Sequence, residues 1–269
     1  MRVPFTILSA IAVFSCAATA TGQNVLSTSN EPADPNAAVL PSPWSGSSGE
    51  MGFSSSHGNS VAENLNATLK GRYTEGDWVH SLDLFANRAR AEYYETLPSG
   101  TRRRYRQTTA SRYTASAGSA LQLGEFRQLT ATGRYERDKF AIYDRLATFG
   151  VGYGTRLINT NRFSLDTQIG PGVRSAHDKQ TDRTETGLIA RGLVDMKYAI
   201  TKTTDLTNVS LVESGSHNTY VQNDTSLQVA INDRFALKAG YQFRHNSKAN
   251  LLNKKTDTLV TVNLVYTIK

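Results

Sequence analysis

In most segments between Ser45 and the end of the chain, apolar side chains recur at every second position. In the last segment the apolar positions are Val260, Val262, Leu264, Tyr266 and Ile268, and most residues between them are polar. A period of two is typical of β-strands with one apolar and one polar face. No segment of similar length shows the 3.6-residue period of an amphipathic helix. The pattern therefore predicts an all-β protein.

The alternation divides into twelve predicted strands, at residues 47–56, 61–74, 78–91, 110–123, 126–137, 145–157, 162–175, 185–199, 204–214, 219–231, 234–245 and 256–268. The connections are alternately tight, as at 75–77 and 232–233, and longer, as at 92–109 and 246–255. An even strand number with short periplasmic turns and longer outer loops is typical of outer-membrane barrels. We predict a transmembrane antiparallel β-barrel of about 12 strands with both termini in the periplasm.

The composition favours this barrel over other membrane or soluble folds. Hydrophobic residues make up 39% of the 269 residues, against about 45–50% in ordinary soluble domains. A membrane helix needs about 20 apolar residues, and the only long apolar run lies at the N-terminus. A soluble β-sandwich or lipocalin-like barrel is the alternative. The predicted polar face, however, carries small residues that suit a crowded lumen: Ser116, Gly118, Gly150, Gly152, Gly154 and Gly170.

The N-terminus predicts export. Arg2 precedes the apolar stretch 5–14, and Ala18-Thr19-Ala20 forms a cleavage site, so residues 1–20 are predicted to be a signal peptide. A lipoprotein signal ending at Cys16, the only cysteine, is the alternative. The proline-rich residues 21–43 predict a flexible periplasmic leader, followed by the barrel at 44–269. Loss of residues 1–20 lowers the formal net charge from +7 to +6, because Arg2 is the one charge removed.

Aromatic residues on the apolar face cluster beside the tight turns. Membrane barrels carry such aromatic girdles at the lipid interface. The predicted girdle at the periplasmic edge consists of Tyr73, Trp78, Phe126, Phe163, Tyr198, Phe235 and Tyr266.

Several motifs resemble a known family and occur in its order. They include Trp44-Ser45-Gly46, Gly52-Phe53-Ser54, Tyr135-Glu136-Arg137-Asp138, Gly150-Val151-Gly152-Tyr153-Gly154, Gly170-Pro171-Gly172, Arg244-His245-Asn246-Ser247 and Lys255-Thr256-Asp257-Thr258. The chain resembles the salt-induced outer membrane proteins of Gram-negative bacteria, a domain family of unknown function. The resemblance implies an outer-membrane β-barrel and supplies no catalytic residues.

The chain departs from the family pattern in two places. Residues 92–111, with Arg102-Arg103-Arg104, look like an insertion in an outer loop. The chain ends on Tyr266-Thr267-Ile268-Lys269 rather than on an aromatic residue. Tyr266 is therefore the candidate signal for the barrel assembly machinery.

Charged residues on the polar face are the candidate functional residues. Seven basic and four acidic residues are predicted to face the lumen: Lys70, Arg72, Arg134, Arg156, Arg191, Lys197 and Lys238, with Asp83, Glu136, Asp166 and Asp195. Asp138, Asp144, His245 and Asp257 are predicted at the outer rim. A water-filled lumen with this basic excess would favour small anions. If the side chains pair across the lumen instead, the barrel is plugged and structural.

Other functions have weaker support. A surface hydrolase would need catalytic groups in a fixed arrangement. The candidates are His177-Asp178 and His245 with Asp257, and nothing in the sequence orders either pair, so we predict no enzyme. No metal-ligand spacing is present, and no cofactor is predicted. The basic residues are too dispersed for nucleic acid. Adhesion through loop 92–109 is a further hypothesis. The predicted partners are outer-membrane lipid, glycolipid phosphate beside Arg102-Arg103-Arg104 and the assembly machinery, around a monomer.

Overall fold

The strands with alternating polar and apolar side chains form a closed antiparallel barrel. The structure, a computed structural model, describes residues 42–44, 46–56, 61–96, 102–216, 218–248 and 255–268. The strands are β1 (Ser48–Ser56), β2 (Val61–Glu75), β3 (Trp78–Thr96), β4 (Arg102–Gln122), β5 (Arg127–Asp138), β6 (Tyr143–Asn159), β7 (Phe163–Asp178), β8 (Arg183–Ala199), β9 (Thr204–Gly215), β10 (Thr219–Ala230), β11 (Phe235–Asn246) and β12 (Thr256–Thr267).

The first and last strands close the barrel. β1 pairs with β12 from Ser48 opposite Thr267 to Met51 opposite Leu264, and every other strand pairs with its neighbours in sequence. The Ile268 amide donates to the Ser47 carbonyl at 2.9 Å, so both ends of the barrel chain lie at the tight-turn edge. Closure leaves no sheet edge, which lets a β-structure satisfy its backbone groups without water.

The barrel has polar side chains inside and apolar side chains outside. Glu213 is 1% exposed and faces the lumen, whereas Leu188 is 77% and Ile169 71% exposed on the outer wall. Soluble proteins bury apolar groups, so this inverted polarity is that of a membrane-spanning barrel. Among the residues with a described fold, no helix meets the length and hydropathy needed to cross a bilayer.

The strand count and most strand bounds follow the sequence prediction, which is confirmed for the fold. The prediction was wrong for residues 92–109, because β3 continues to Thr96 and β4 begins at Arg102. A register shift at Ala89/Arg90 accompanies this extension. The twelve-strand barrel therefore carries a long β3–β4 hairpin where we predicted an outer loop. Residues 1–41, with the predicted signal peptide and most of the leader, lie outside the described residues.

Small residues on the inner wall allow β6 and β7 to approach closely. A Cβ atom on Gly170 would lie 2.0 Å from the Val151 carbonyl oxygen, and one on Gly152 2.6 Å from the Gln168 amide nitrogen. A proline within a strand, such as Pro171 here, is typical of a bulge or bend. The β6–β7 ladder instead keeps one register from Gly150 opposite Gly172 to Tyr153 opposite Ile169, with the two intervening pairs unmade.

A polar cluster faces the lipid on β9 and β10. Asn208 lies opposite Thr225, and Ser210 opposite Asn223, in the same rows as the exposed Tyr241 and Val194. The two amides bond each other, and each donates its second hydrogen to a hydroxyl, Asn208 to Thr225 at 2.7 Å and Asn223 to Ser210 at 2.7 Å. Both hydroxyls donate back to amide oxygens. Every side-chain donor is thus satisfied within the cluster, as a lipid-exposed position requires.

We expect this cluster to respond non-additively to mutation. Asn223→Leu leaves one hydrogen of the Asn208 amide without an acceptor in an apolar surrounding, and takes one donor from the Asn208 oxygen. It should lower the free energy of unfolding by about 1–3 kcal/mol. Asn208→Leu combined with Asn223→Leu removes both amides and should cost less than Asn223→Leu alone. Urea unfolding of the purified barrel in micelles measures both. A loss for the double variant larger than that for Asn223→Leu alone, as expected of two independent sites, would contradict the closed cluster.

Candidate functional site

The lumen holds a cavity of about 470 Å³ with charged walls. Among the described residues that line it, five are basic and five acidic: Lys70, Arg112, Arg134, Arg191 and Lys238, with Glu50, Asp83, Glu136, Glu213 and Asp224. The excess of basic residues that the sequence analysis counted is therefore balanced at the cavity wall by residues it left out.

Arg244 carries an ion pair across the barrel. Its guanidinium contacts the Glu136 carboxylate and lies 3.3 Å from the Asp138 carboxylate. Arg244 belongs to β11, whereas Glu136 and Asp138 belong to β5. These strands are six places apart in either direction around the twelve-strand barrel, so they form opposite walls. The side chains of both walls therefore meet in the lumen.

Arg134 and Tyr220 extend this bridge. Arg134 Nη2 donates to Glu136 Oε2 at 2.5 Å and to Gln222 Oε1 at 3.2 Å. The guanidinium carbons of Arg134 and Arg244 lie 5.4 and 5.8 Å from the Tyr220 ring centroid. The Tyr220 hydroxyl accepts from Arg244 Nε at 3.1 Å and donates to Gln222 at 2.6 Å. Cation–π contacts and charge-assisted hydrogen bonds thus act on the same groups.

Two amides connect the bridge to a third arginine. Arg112 Nη2 donates to Gln242 Oε1 at 2.5 Å, and the Gln242 and Gln222 amides both donate to Asp224 at 2.5 Å. We call the set Arg112, Arg134, Glu136, Asp138, Tyr220, Gln222, Asp224, Gln242 and Arg244 the cross-lumen network. It joins β4 and β5 to β10 and β11. A connected polar network of this kind fixes its members in one arrangement.

A second group of ion pairs lies nearer the tight turns. Glu50 accepts from Lys238 Nζ at 2.8 Å, lies 4.0 Å from Lys70 Nζ and accepts from Asn263 at 3.3 Å. A further pair lies on the β8–β9 wall, at the level of Tyr220, which is opposite Glu213. There Arg191 Nε lies 3.7 Å from Glu213 Oε1. Both groups neutralise charge beside the cavity.

The remaining predicted lumen residues form local pairs rather than one site. Arg156 donates to Asp166 at 2.7 Å, and Lys197 lies 3.2 Å from Asp205. The registers place Arg72 opposite Ser81 and Asp195 opposite Asp166 on the inner wall. These residues lie toward the tight turns, away from the cross-lumen network.

At the long-loop end, Lys248 crosses part of the barrel mouth. It follows β11, and its Nζ donates to Glu185 Oε1 at 2.7 Å and lies 3.5 Å from Asp178 Oδ2. Those carboxylates belong to β8 and β7. The hydrogen bond to Glu185 raises the pKa of Lys248 above its ordinary value, so the Lys248 ammonium keeps its charge. Lys248, just after β11, is therefore tied to strands that lie three and four places away around the barrel.

Of the histidines that the structure describes, the candidates His177 and His245 do not pair with Asp178 and Asp257 as a hydrolase site would need. His177 contacts Asp144 at 2.6 Å and Asp182 at 3.1 Å, rather than its neighbour Asp178. His245 hydrogen-bonds to Thr256 at 3.0 Å, whereas Asp257 lies opposite Arg244, on the other face of the sheet. No group of three or more metal-ligating side chains occurs within the described part of the chain.

The seven aromatic residues of the predicted girdle lie at the tight-turn end of the barrel. Phe163 and Tyr198 rings are 6.3 Å apart, Phe235 and Tyr266 rings 5.3 Å apart, and Trp78 and Tyr73 both stack on His80. Phe126 is exposed in the turn between β4 and β5. Their role at a lipid interface stays a prediction.

The sequence analysis missed six members of the cross-lumen network and the neighbouring acid Glu50. The missed members are Arg112, Tyr220, Gln222, Asp224, Gln242 and Arg244. Gln242 and Arg244 lie on the predicted polar face of their strand, where they alternate with Tyr241 and Phe243 of the apolar face. Face parity alone would have found these two.

Comparison with known proteins gives one family match. Residues 49–268 match the family model described as "Protein of unknown function, DUF481". The uncharacterized protein YdiY of Escherichia coli (strain K12) is 27% identical over 165 residues, which are 60% of this chain and 64% of YdiY. The chain thus spans a little under two thirds of that relative.

Solved barrels are similar in outline. The NanC porin matches with a TM-score of 0.49 and 10% identity, over 83% of this chain and 100% of its own. The translocator domain of the autotransporter NalP from Neisseria meningitidis matches at 0.47 and 11%, over 82% and 86%. The family match covers nearly the whole barrel, and the chain therefore belongs to the DUF481 family of proteins of unknown function.

Proposed function

We propose that this protein is an outer-membrane barrel whose lumen is closed at rest by the cross-lumen network. The observation that carries the proposal is the contact of Arg244 on β11 with Glu136 and Asp138 on the opposite β5 wall. Side chains paired across the lumen exclude solutes wider than a few water molecules. The protein then acts as a structural barrel, or as a narrow channel that conducts when the network re-pairs.

The membrane location rests on the outer surface and on the predicted signal peptide. Exposed apolar residues cover the outer wall, and closed barrels satisfy their backbone groups in lipid. We place the termini and the tight turns in the periplasm and the β3–β4 hairpin outside the cell, as short periplasmic turns indicate. The closed polar cluster on β9–β10 needs no protein partner, which supports a monomer.

The charge balance of the cavity changes the expected selectivity. A basic excess was the reason to expect small anions as the solute. Five basic and five acidic residues at the cavity wall give little net ring charge. We therefore propose that any open state discriminates weakly between small anions and cations.

Solute flux tests the closed lumen. Liposomes that contain the wild-type barrel should swell in small sugars, chloride salts or potassium salts at nearly the rate of empty liposomes. The heat-dependent gel mobility of the barrel shows that the reconstituted protein is folded. Rapid swelling in all of these solutes would show a permanently open pore, and rapid swelling confined to anions would restore the anion-channel hypothesis.

A further inference from the structure

The outer wall carries a group of arginines at the long-loop end of four adjacent strands. We call Arg88, Arg90, Arg104, Arg106, Arg137 and Arg145 the arginine belt. Arg88 and Arg90 share the face of the exposed Leu82 and Leu84 on β3. Arg137 lies opposite Tyr113 on β4 and opposite Arg145 on β6. It shares the outer face of β5 with the exposed Tyr135. The belt therefore points away from the lumen.

Carboxylates neutralise only part of the belt. Arg106 contacts Glu63 at 2.5 Å and Glu92 at 3.6 Å, Arg104 lies 3.6 Å from Glu92, and Arg145 lies 3.7 Å from Asp144. Arg137 instead donates to the Tyr113 hydroxyl at 3.2 Å. Six guanidiniums thus meet three carboxylates on this surface, which leaves an excess of positive charge.

The belt begins where the apolar surface ends. On the same strands, the exposed Leu84, Tyr113, Tyr135 and Phe149 lie on the side toward the tight turns. The apolar band of a membrane barrel is about 25 Å tall, so charged residues directly beyond it lie at the level of lipid headgroups. β3 and β4 also have 19 and 21 residues, against 12 in β9 to β12. This wall therefore continues through the headgroup layer.

The opposite wall differs in charge. At the same end, the outward positions of β9 to β12 are Val212, Ser214, Thr219, Val221, Phe243, His245, Thr256 and Thr258. None of these described positions is a lysine or an arginine. At this end, outward-facing arginines therefore occur on β3 to β6 and not at these positions of β9 to β12.

We propose that the arginine belt binds the phosphate groups of phosphorylated glycolipid in the outer leaflet. The planar guanidinium forms paired hydrogen bonds with phosphate oxygens. A glycolipid fits because its phosphates meet the belt while its acyl chains cover the adjoining Leu84 and Tyr135 surface. A soluble polyanion matches only the first of these surfaces. The proposal rests on the proposed orientation, with the long-loop end outside the cell.

Glycolipid binding to the detergent-solubilised full chain tests the belt. The variant Arg88→Gln/Arg90→Gln/Arg137→Gln removes the three belt arginines that contact no carboxylate in the described structure. The matched control Arg127→Gln/Arg162→Gln/Arg234→Gln removes three arginines at the tight-turn end. Native mass spectrometry measures binding of lipid A and of its dephosphorylated form.

We expect the belt variant to bind lipid A at least tenfold more weakly than the wild type or the control. Dephosphorylated lipid A should bind all three proteins as weakly as lipid A binds the belt variant. Equal binding of lipid A to all three, or equal binding of both lipids to the wild type, would overturn the proposal. Tighter binding of a single-stranded oligonucleotide than of lipid A would overturn it in favour of a soluble polyanion. No conductance enters this readout, so its failure is distinct from failure of the closed lumen.

Discussion

Arg244→Ala should lower the free energy of unfolding by about 3 kcal/mol, near the lower end of the cost of breaking a buried ion pair. The substitution removes the ion-pair partner of Asp138 and one of the two ion-pair partners of Glu136 in the lumen. Arg134 still contacts Glu136 at 2.5 Å, which is why we do not expect the upper end of that range. Urea unfolding of the barrel in micelles, followed by gel mobility, gives the loss.

Arg156→Ala is the matched control for this variant. It also removes an arginine that contacts a carboxylate, Asp166 at 2.7 Å, but both side chains are about one third or more exposed. Pairs in contact with water contribute about 0–1 kcal/mol. Equal losses for Arg244→Ala and Arg156→Ala would contradict a buried cross-lumen network.

Gly170→Ala should prevent most of the protein from folding. The added Cβ would lie 2.0 Å from the Val151 carbonyl oxygen and close to the Gly152 backbone. Backbone atoms cannot rotate away, so β6 and β7 would have to separate beside Pro171, where the ladder already lacks two pairs. Overpacking of a core usually costs about 1–3 kcal/mol and more where nothing can yield. The measurement is the fraction of folded barrel, read by gel mobility with and without heating.

Gly133→Ala provides the comparison for this position. Gly133 lies on the neighbouring β5 strand, and nothing lies within 4 Å of the Cβ that the substitution would add. We expect its folded fraction to match the wild type, because a substitution in open space changes stability by no more than about 0.5 kcal/mol. If Gly170→Ala folds as well as Gly133→Ala, the close approach of β6 and β7 is wrong.

The barrel itself was predictable because its information is local. Each strand repeats the two-residue alternation, and a tight turn such as Asn232-Asp233 fixes the pairing of its two strands. The extended hairpin was not predictable by this route. Residues 102–107 read Arg-Arg-Arg-Tyr-Arg-Gln, so the alternation that marks a strand is absent there.

The network was only partly predictable for a different reason. Face parity assigns Glu136 and Arg134 to the lumen, and it assigns Arg244 there too. Which lumen residues meet depends on the barrel diameter and on closure by β1 and β12. Glu136 and Arg244 are 108 residues apart in sequence, and no local pattern links them. The pairing across the lumen therefore needed the three-dimensional fold.

Single-channel recording in planar bilayers tests the closed lumen most directly. Wild-type barrel and the Arg156→Ala control should remain closed, with only brief openings. Arg244→Ala should show long-lived openings, because the ion pairs between β5 and β11 are lost and only the hydrogen bonds of Arg134 and Arg112 then hold the opposite wall. Steady conductance in the wild type equal to that of Arg244→Ala would contradict the closed lumen.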